Sequence, residues 1–311
     1  MNVETFSSLP SAEVARLMRA EGPKVCVFPI NGTRRWFMLE HRPEQEEDLM
    51  TTYLSVSGRR HIELYQLLFD HGLDTLLTPV FGPDLLDRGE GYMQAAAEGL
   101  ARLANHPDFL EFYEAYGVRV RFYGDYDRFF DSTPYAYLSN LFNEVMALTL
   151  PHDRYRLFFG VFAHDATETV AELAIRYHAK HACVPDRRTL VELYYGEYVG
   201  PVDLFIGFDK FSAFDMPLVA TGAEDLYFTV SPSPYLAERQ LRDILYDHLY
   251  ARREEESDYS AMTADDWALM RDFYQANLGK TLGVGAKHKR VGFWHPLPQV
   301  ELPVVFAEPG S

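Results

Sequence analysis

"KVCVFPINGTRRWFMLEH", residues 24–41, joins an apolar run to a turn and two adjacent arginines. Val25 to Ile30 is apolar enough to be a buried strand. Asn31-Gly32-Thr33 is small and flexible, and Arg34 and Arg35 follow at once. A glycine lets backbone N–H groups approach an anion closely, and a helix that starts there adds its partial positive charge. The planar guanidinium fork matches phosphate oxygens better than a lysine ammonium does. The stretch predicts a strand, an anion-holding turn and a helix, with Asn31, Gly32, Thr33, Arg34 and Arg35 as the candidate anion seat.

Outward from this turn, apolar runs and helical periodicities alternate. Residues 11–21 carry Val14, Leu17 and Met18 at helical spacing and stop at Gly22-Pro23. "RRHIELYQLLFDHG" is helical, "DTLLTPVF" a strand, and "YMQAAAEGLARLANHPDFLEFYEAYG" helical with a break near Pro107. "VRVRFYGD" and "YRLFFGVFAHD" read as strands, and residues 126–153 between them as a lid or an inserted helix. Two further helices precede the strands "VDLFIGF" and "DLYFTVSP", and amphipathic helices follow to about residue 278. Strands apolar throughout, alternating with helices, predict a mostly parallel α/β sheet covered on both faces. The expected organisation is one α/β domain over 1–311, with its core at about 24–250 and a helical extension at about 251–311.

Ligands of open α/β sheets sit at the carboxyl ends of the strands. Three polar turns fall there: "NGTRR", "GPDLLDRGE" and "GDYDR". Asn31, Arg34, Arg35 and Arg88 are therefore expected to converge although they are distant in sequence.

Composition narrows the classes. The chain has 311 residues, 47% hydrophobic and 14% aromatic, enough for a sizeable core. No apolar run approaches the ~18 residues of a membrane span, and the N-terminus carries no secretory pattern, so a cytoplasmic location is expected, without stable membrane insertion. The two cysteines read as ordinary thiols. A net charge of −17 argues against nucleic acid, and it makes an anionic ligand depend on local arginine pairs.

The motifs together resemble the cis-prenyltransferase family, undecaprenyl diphosphate synthase and its relatives. "FPINGTRRW" is similar to that family's DGNGRW turn, "FGPDLLDRG" to FSxENWxRP, and "VRVRFYGDYDRF" to VRxRxxGDxxRF. "VDLFIGFDKFSAFD" followed by "DLYFT" stands where the family has DLxIRTxGExRxSNF and ELYFT. The likeness covers about residues 24–250. "NGTRRWF", "YYGEYV", "LFIGFDKFSAFDMPL", "DILYDHLYAR" and "SDYSAMTAD" bring it closer still to a divergent branch of bacterial diterpene synthases built on that fold.

The resemblance implies a prenyl diphosphate substrate, Mg²⁺, a homodimer, and diphosphate binding by Gly32, Thr33, Arg34, Arg35 and Arg88. It implies catalytic roles for Asn31, Arg35 and Tyr53; Tyr53 would steer a carbocation by its ring face or assist proton removal. Three departures qualify it. Asn31 replaces the family's metal-binding Asp, so a neutral carbonyl stands where a carboxylate is usual. The second prenyl site loses its Arg-Thr to Gly207-Phe208 and its Arg and Asn to Lys210 and Ala213, keeping Ser212; "HDATE" replaces a Tyr-Gly-Gly-Arg run. Losing charge-assisted bonds of about 1.5–3 kcal/mol each disfavours isopentenyl diphosphate. Asp225 stands at a metal-binding Glu.

The expected reaction is ionisation of a bicyclic twenty-carbon allylic diphosphate, of kolavenyl or tuberculosinyl type, with water capturing the cation as a tertiary alcohol. The alternatives are transfer of the diterpenyl group to adenosine, and a chain-elongating or non-catalytic relative. The sequence has no complete DDxxD or DxDD motif for an ordinary terpene cyclase. His178 and His181 read as a solvated helix end, and "KHKR" (287–290) as a flexible basic tail.

Overall fold

The computed structural model describes residues 1–41, 49–83, 89–253, 259–297 and 300–301. Helices α1 (Val3–Ser8) and α2 (Ser11–Arg19) lead into β1 (Val25–Val27). Only three residues of the predicted strand 25–30 form ladder. Phe28 still donates to the Leu77 carbonyl at 2.8 Å, but Pro29 has no N–H to continue it.

After the turn come α3 (Thr33–Glu40), α4 (Leu49–Asp70) and β2 (Thr75–Phe81). Helices α5 (Glu90–Asn105) and α6 (Pro107–Tyr116) are divided where Pro107 starts a new helix, and α6 ends on Gly117 in the left-handed region. β3 (Val118–Tyr123) follows, and the segment 126–153 resolves into α7 (Tyr126–Phe130) and α8 (Tyr137–Leu148). α8 is part of the core: Phe142 stacks on Phe122 of β3 at 3.8 Å. Then come β4 (Tyr155–Val161), α9 (Thr167–His181), α10 (Arg187–Tyr195), β5 (Leu204–Phe208), β6 (Asp225–Thr229) and α11 (Glu238–Tyr246), which runs on as a π-turn over Asp247–Ala251.

The six strands form one sheet in the order β3-β4-β2-β1-β5-β6, every neighbouring pair parallel. Consecutive strand residues bury on opposite faces. Leu76, Phe159 and Ile206 join one core cluster with α4, α6 and α8, while Leu77, Phe158 and Phe205 join another with α10. That double burial is why the strands read as unbroken apolar runs.

The C-terminal extension is not purely helical. After α12 (Ala264–Asn277) comes an antiparallel hairpin of β7 (Gly285–Lys287) and β8 (Trp294–Pro296). The "KHKR" segment belongs to this hairpin rather than to a free tail: His288 donates its N–H to the Phe293 carbonyl at 2.9 Å, and their rings stack at 5.6 Å. Gly285 permits it, since a Cβ there would lie 2.1 Å from the Trp294 ring.

Candidate functional site

Asn31 and Gly32 lie just past the carboxyl end of β1, held by the loop that follows β6. Ser233 donates its N–H to the Asn31 carbonyl at 3.0 Å, and its hydroxyl accepts the Asn31 N–H at 3.2 Å. Gly32 has φ +78° and caps α3, its carbonyl accepting from Trp36 N at 2.9 Å. A Cβ on Gly32 would meet Phe208 and Pro232 at 2.9 Å each. Glycine is required here twice over, for the left-handed backbone and for the packing of β5 and the β6 loop against it.

Arg34 and Arg35, in the first turn of α3, are both exposed. Arg35 lies 5.4 Å over the ring of Phe208 and 4.0 Å from Asp209 Oδ2. The aromatic face steadies the cation without consuming its hydrogen-bond donors. Thr33 is buried and donates its hydroxyl proton to the Ile30 carbonyl at 3.0 Å. Its oxygen lies 3.4 Å from His61 Nε2. With the threonine proton committed to Ile30, this contact is a hydrogen bond in the tautomer that carries its proton on Nε2. Burial and the neighbouring Arg60 push the His61 imidazolium down to about 4, so the ring is neutral. The sequence reading passed over His61 because its helix face is otherwise an ordinary amphipathic stripe.

Tyr53, on α4, comes to the same helix: its ring meets Phe37 of α3 edge-on at 5.3 Å. Burial raises its phenol above the ordinary value, Tyr92 adding to the rise and Arg34 opposing it. The hydroxyl is a neutral donor at physiological pH, a poor base, and its ring face is the useful surface. The structure thus brings together Asn31, Gly32, Thr33, Arg34, Arg35 and Tyr53. Arg88 lies outside the described residues.

Asp225 is not brought to this turn within the chain. It pairs with Leu204 at the start of β5, whereas Thr229 pairs with Phe208 at its end, so the length of β6 separates it from the strand ends. There it accepts from buried His248 Nδ1 at 2.6 Å and faces Arg252 at 3.5 Å. The departures at the second prenyl site have a steric side. A Cβ on Gly207 would lie 2.8 Å from both Phe205 and Phe228. At the end of β4, Asp165 accepts from Thr167 N at 3.0 Å, so a carboxylate stands in the "HDATE" segment.

Among the described residues no three His, Cys, Asp or Glu side chains gather as a metal cage. Magnesium with a diphosphate needs less, one or two carboxylates with the phosphates and water completing the shell. Among the described residues a carboxylate stands beside the turn, Asp209, with φ +72° and an Oδ1 that is buried and without a hydrogen-bond partner. The residues present fit a Mg²⁺–diphosphate pair that Asp209 would hold, with the neutral side-chain amide of Asn31 on the adjoining turn. "GFDKF" contained this acid, and only the parallel pairing of β5 beside β1 reveals where it stands.

No family model matches the chain. It is 44% identical over 290 residues, 93% of its length and 96% of the relative's, to a tuberculosinyl adenosine transferase from Mycobacterium tuberculosis. It is 25% identical over 288 residues, 90% of its length and 91% of the relative's, to a (+)-kolavelool synthase from Herpetosiphon aurantiacus. Among solved structures, lavandulyl diphosphate synthase from Lavandula x intermedia, crystallised with dimethylallyl diphosphate, superposes with a TM-score of 0.58 at 16% identity, covering 76% of this chain and 97% of that one. A probable undecaprenyl diphosphate synthase from Campylobacter jejuni gives 0.53 at 16% identity, covering 75% and 96%.

Proposed function

Since this chain belongs to the tuberculosinyl adenosine transferase family and has the fold of the cis-prenyltransferases, we propose that it transfers a diterpenyl group from its diphosphate to adenosine. The observation that carries the proposal is the 44% identity sustained over 93% of the chain. It ranks nucleoside transfer above the capture by water expected from the motifs alone. Water remains the second reading, supported by the more distant kolavelool synthase.

In this reaction the diphosphate lies on the Gly32 turn, facing the α3 N-terminus and the guanidiniums of Arg34 and Arg35. When the allylic C–O bond breaks, its electron pair leaves with pyrophosphate, and the growing negative charge meets these fixed donors. A bound Mg²⁺ would supply Lewis-acid charge to the same oxygens. The ring of Tyr53 faces the cation as a π surface. A nitrogen of the base then gives its electron pair to the cation, or water does and loses a proton to pyrophosphate. Chain elongation is not part of this proposal, because the carboxyl end of β5 offers Gly207 and Phe208 instead of an arginine fork. Among the described residues no helix is long and apolar enough to cross a membrane. A homodimer, implied by the resemblance, belongs to the proposal and is read by light scattering.

Incubation with tuberculosinyl or kolavenyl diphosphate, adenosine and isopentenyl diphosphate in ¹⁸O-labelled water decides among these readings. A dominant adenosine adduct is expected. A labelled free alcohol would move the assignment to water capture, and a product lengthened by five carbons would overturn both.

A further inference from the structure

We infer that Asp209 is the carboxylate that holds the divalent cation of the diphosphate site, taking the part that Asn31, a neutral amide, cannot fill. The inference rests on the diphosphate reading of the Gly32 turn. Asp209 follows Phe208, the ring packed beneath Gly32, and its backbone N–H donates to the Thr229 carbonyl at 3.3 Å. It is therefore fixed to the carboxyl ends of both β5 and β6, beside β1.

Three features of Asp209 need a common explanation. Its backbone is left-handed, at φ +72°, a conformation that L side chains seldom adopt. Oδ1 is buried without a partner among the described residues, although a desolvated carboxylate oxygen is costly to leave unpaired. Among the described residues Oδ2 reaches only Arg35, at 4.0 Å, the outer limit of an ion pair, with the aspartate side chain 23% exposed. A full salt bridge would have neutralised both groups, and this contact leaves most of each charge unspent.

An unneutralised carboxylate beside a bound diphosphate repels it, strongly so in a partly buried site. A divalent cation between the two reverses the sign, and the orphaned oxygen gains the hard ligand it lacks. Mg²⁺ bound through a single carboxylate and phosphate oxygens is the ordinary arrangement at such sites. The carboxylate has in effect moved one strand over, from the end of β1 to the end of β5.

The test separates the cation from the anion. Calorimetry with inorganic pyrophosphate in EDTA measures the turn alone, and electron paramagnetic resonance then titrates Mn²⁺ into the pyrophosphate complex. Asp209→Asn is the first variant, because asparagine tolerates the left-handed backbone; Asp209→Gly is the second. The expected result is Mn²⁺ affinity lower by about tenfold or more in both, with metal-free pyrophosphate affinity unchanged or tighter. Unchanged Mn²⁺ affinity in folded variants would overturn the inference. So would a loss of metal-free pyrophosphate affinity matching that of Arg35→Ala, which would make Asp209 a brace for the arginine. Absence of pyrophosphate binding by the parent protein would instead remove the diphosphate reading beneath it.

Discussion

Ser233 and Asn31 clasp each other across 202 residues, the serine N–H on the asparagine carbonyl at 3.0 Å and the asparagine N–H on the serine hydroxyl at 3.2 Å. The clasp fixes the peptide that enters the Gly32 turn, so the turn's shape is set by the loop after β6 as much as by its own residues. Ser233→Ala should cost about 0.5–1.5 kcal/mol of stability, because it removes one hydrogen bond from the Asn31 N–H, which keeps the Pro29 carbonyl at 2.9 Å. It should also weaken pyrophosphate binding. Urea unfolding and calorimetry on the same protein measure both, and a change in neither would detach the loop from the site.

Gly32→Ala places a Cβ 2.9 Å from Phe208 and Pro232 on a backbone at φ +78°. The left-handed conformation alone should cost about 1–2 kcal/mol, and the displaced ring adds to it. Thermal unfolding should fall and pyrophosphate binding should be lost. Crystallography of the variant would show Phe208 rotated away from the turn.

Arg34→Ala and Arg35→Ala should each weaken pyrophosphate by about 1.5–3 kcal/mol, the range for hydrogen bonds to charged groups. The chain's net charge of −17 leaves no diffuse attraction to compensate. Calorimetry showing parental affinity in both would remove the arginines from the site.

Tyr53 is held above its ordinary value chiefly by burial, so no tyrosinate should shape the rate near neutrality. Tyr53→Phe is expected to cost less than the roughly hundredfold that follows removal of a general base, whereas Tyr53→Ala, which removes the ring, should cost more. A pH–rate limb present in the parent and absent from Tyr53→Phe would contradict this assignment.

His61 is depressed in the folded protein to about 4 from an ordinary value of 6.5. The folded state binds its proton less readily than the unfolded chain does. Its contribution is complete above about pH 6.5 and is lost as the pH falls toward about 4, with a slope approaching about 1.4 kcal/mol per pH unit. His248, lowered mainly by burial, adds a loss of the same sign. Urea midpoints at pH 7, 6 and 5 should fall less steeply in His61→Gln than in the parent.

The sheet was legible because both of its faces are covered, so each strand announced itself as an apolar run and each turn as its polar end. Arg34, Arg35 and Gly32 could be read for the same local reason. Asp209 could not, since its importance depends on the pairing of β5 beside β1 and on one oxygen left without a partner. Asp225 matched a metal-binding Glu by motif alone, and a motif does not say that β6 carries it at the opposite end of the strand from the turn. The hairpin of β7 and β8 was missed because its strands are three residues long and owe their pairing to a tryptophan lying over Gly285, a contact with no periodicity to betray it.

Gly207 carries a consequence for descent. Where the resemblance sets an arginine, the backbone now lies so close to Phe205 and Phe228 that even one extra carbon would collide with both. Reinstating the arginine alone would therefore be selected against before it could help. From this sequence the path to an arginine at 207 runs through the two rings, which must shrink or move before the side chain has room. Laboratory evolution toward chain elongation should accordingly stall from this sequence unless Phe205 and Phe228 are diversified together with Gly207.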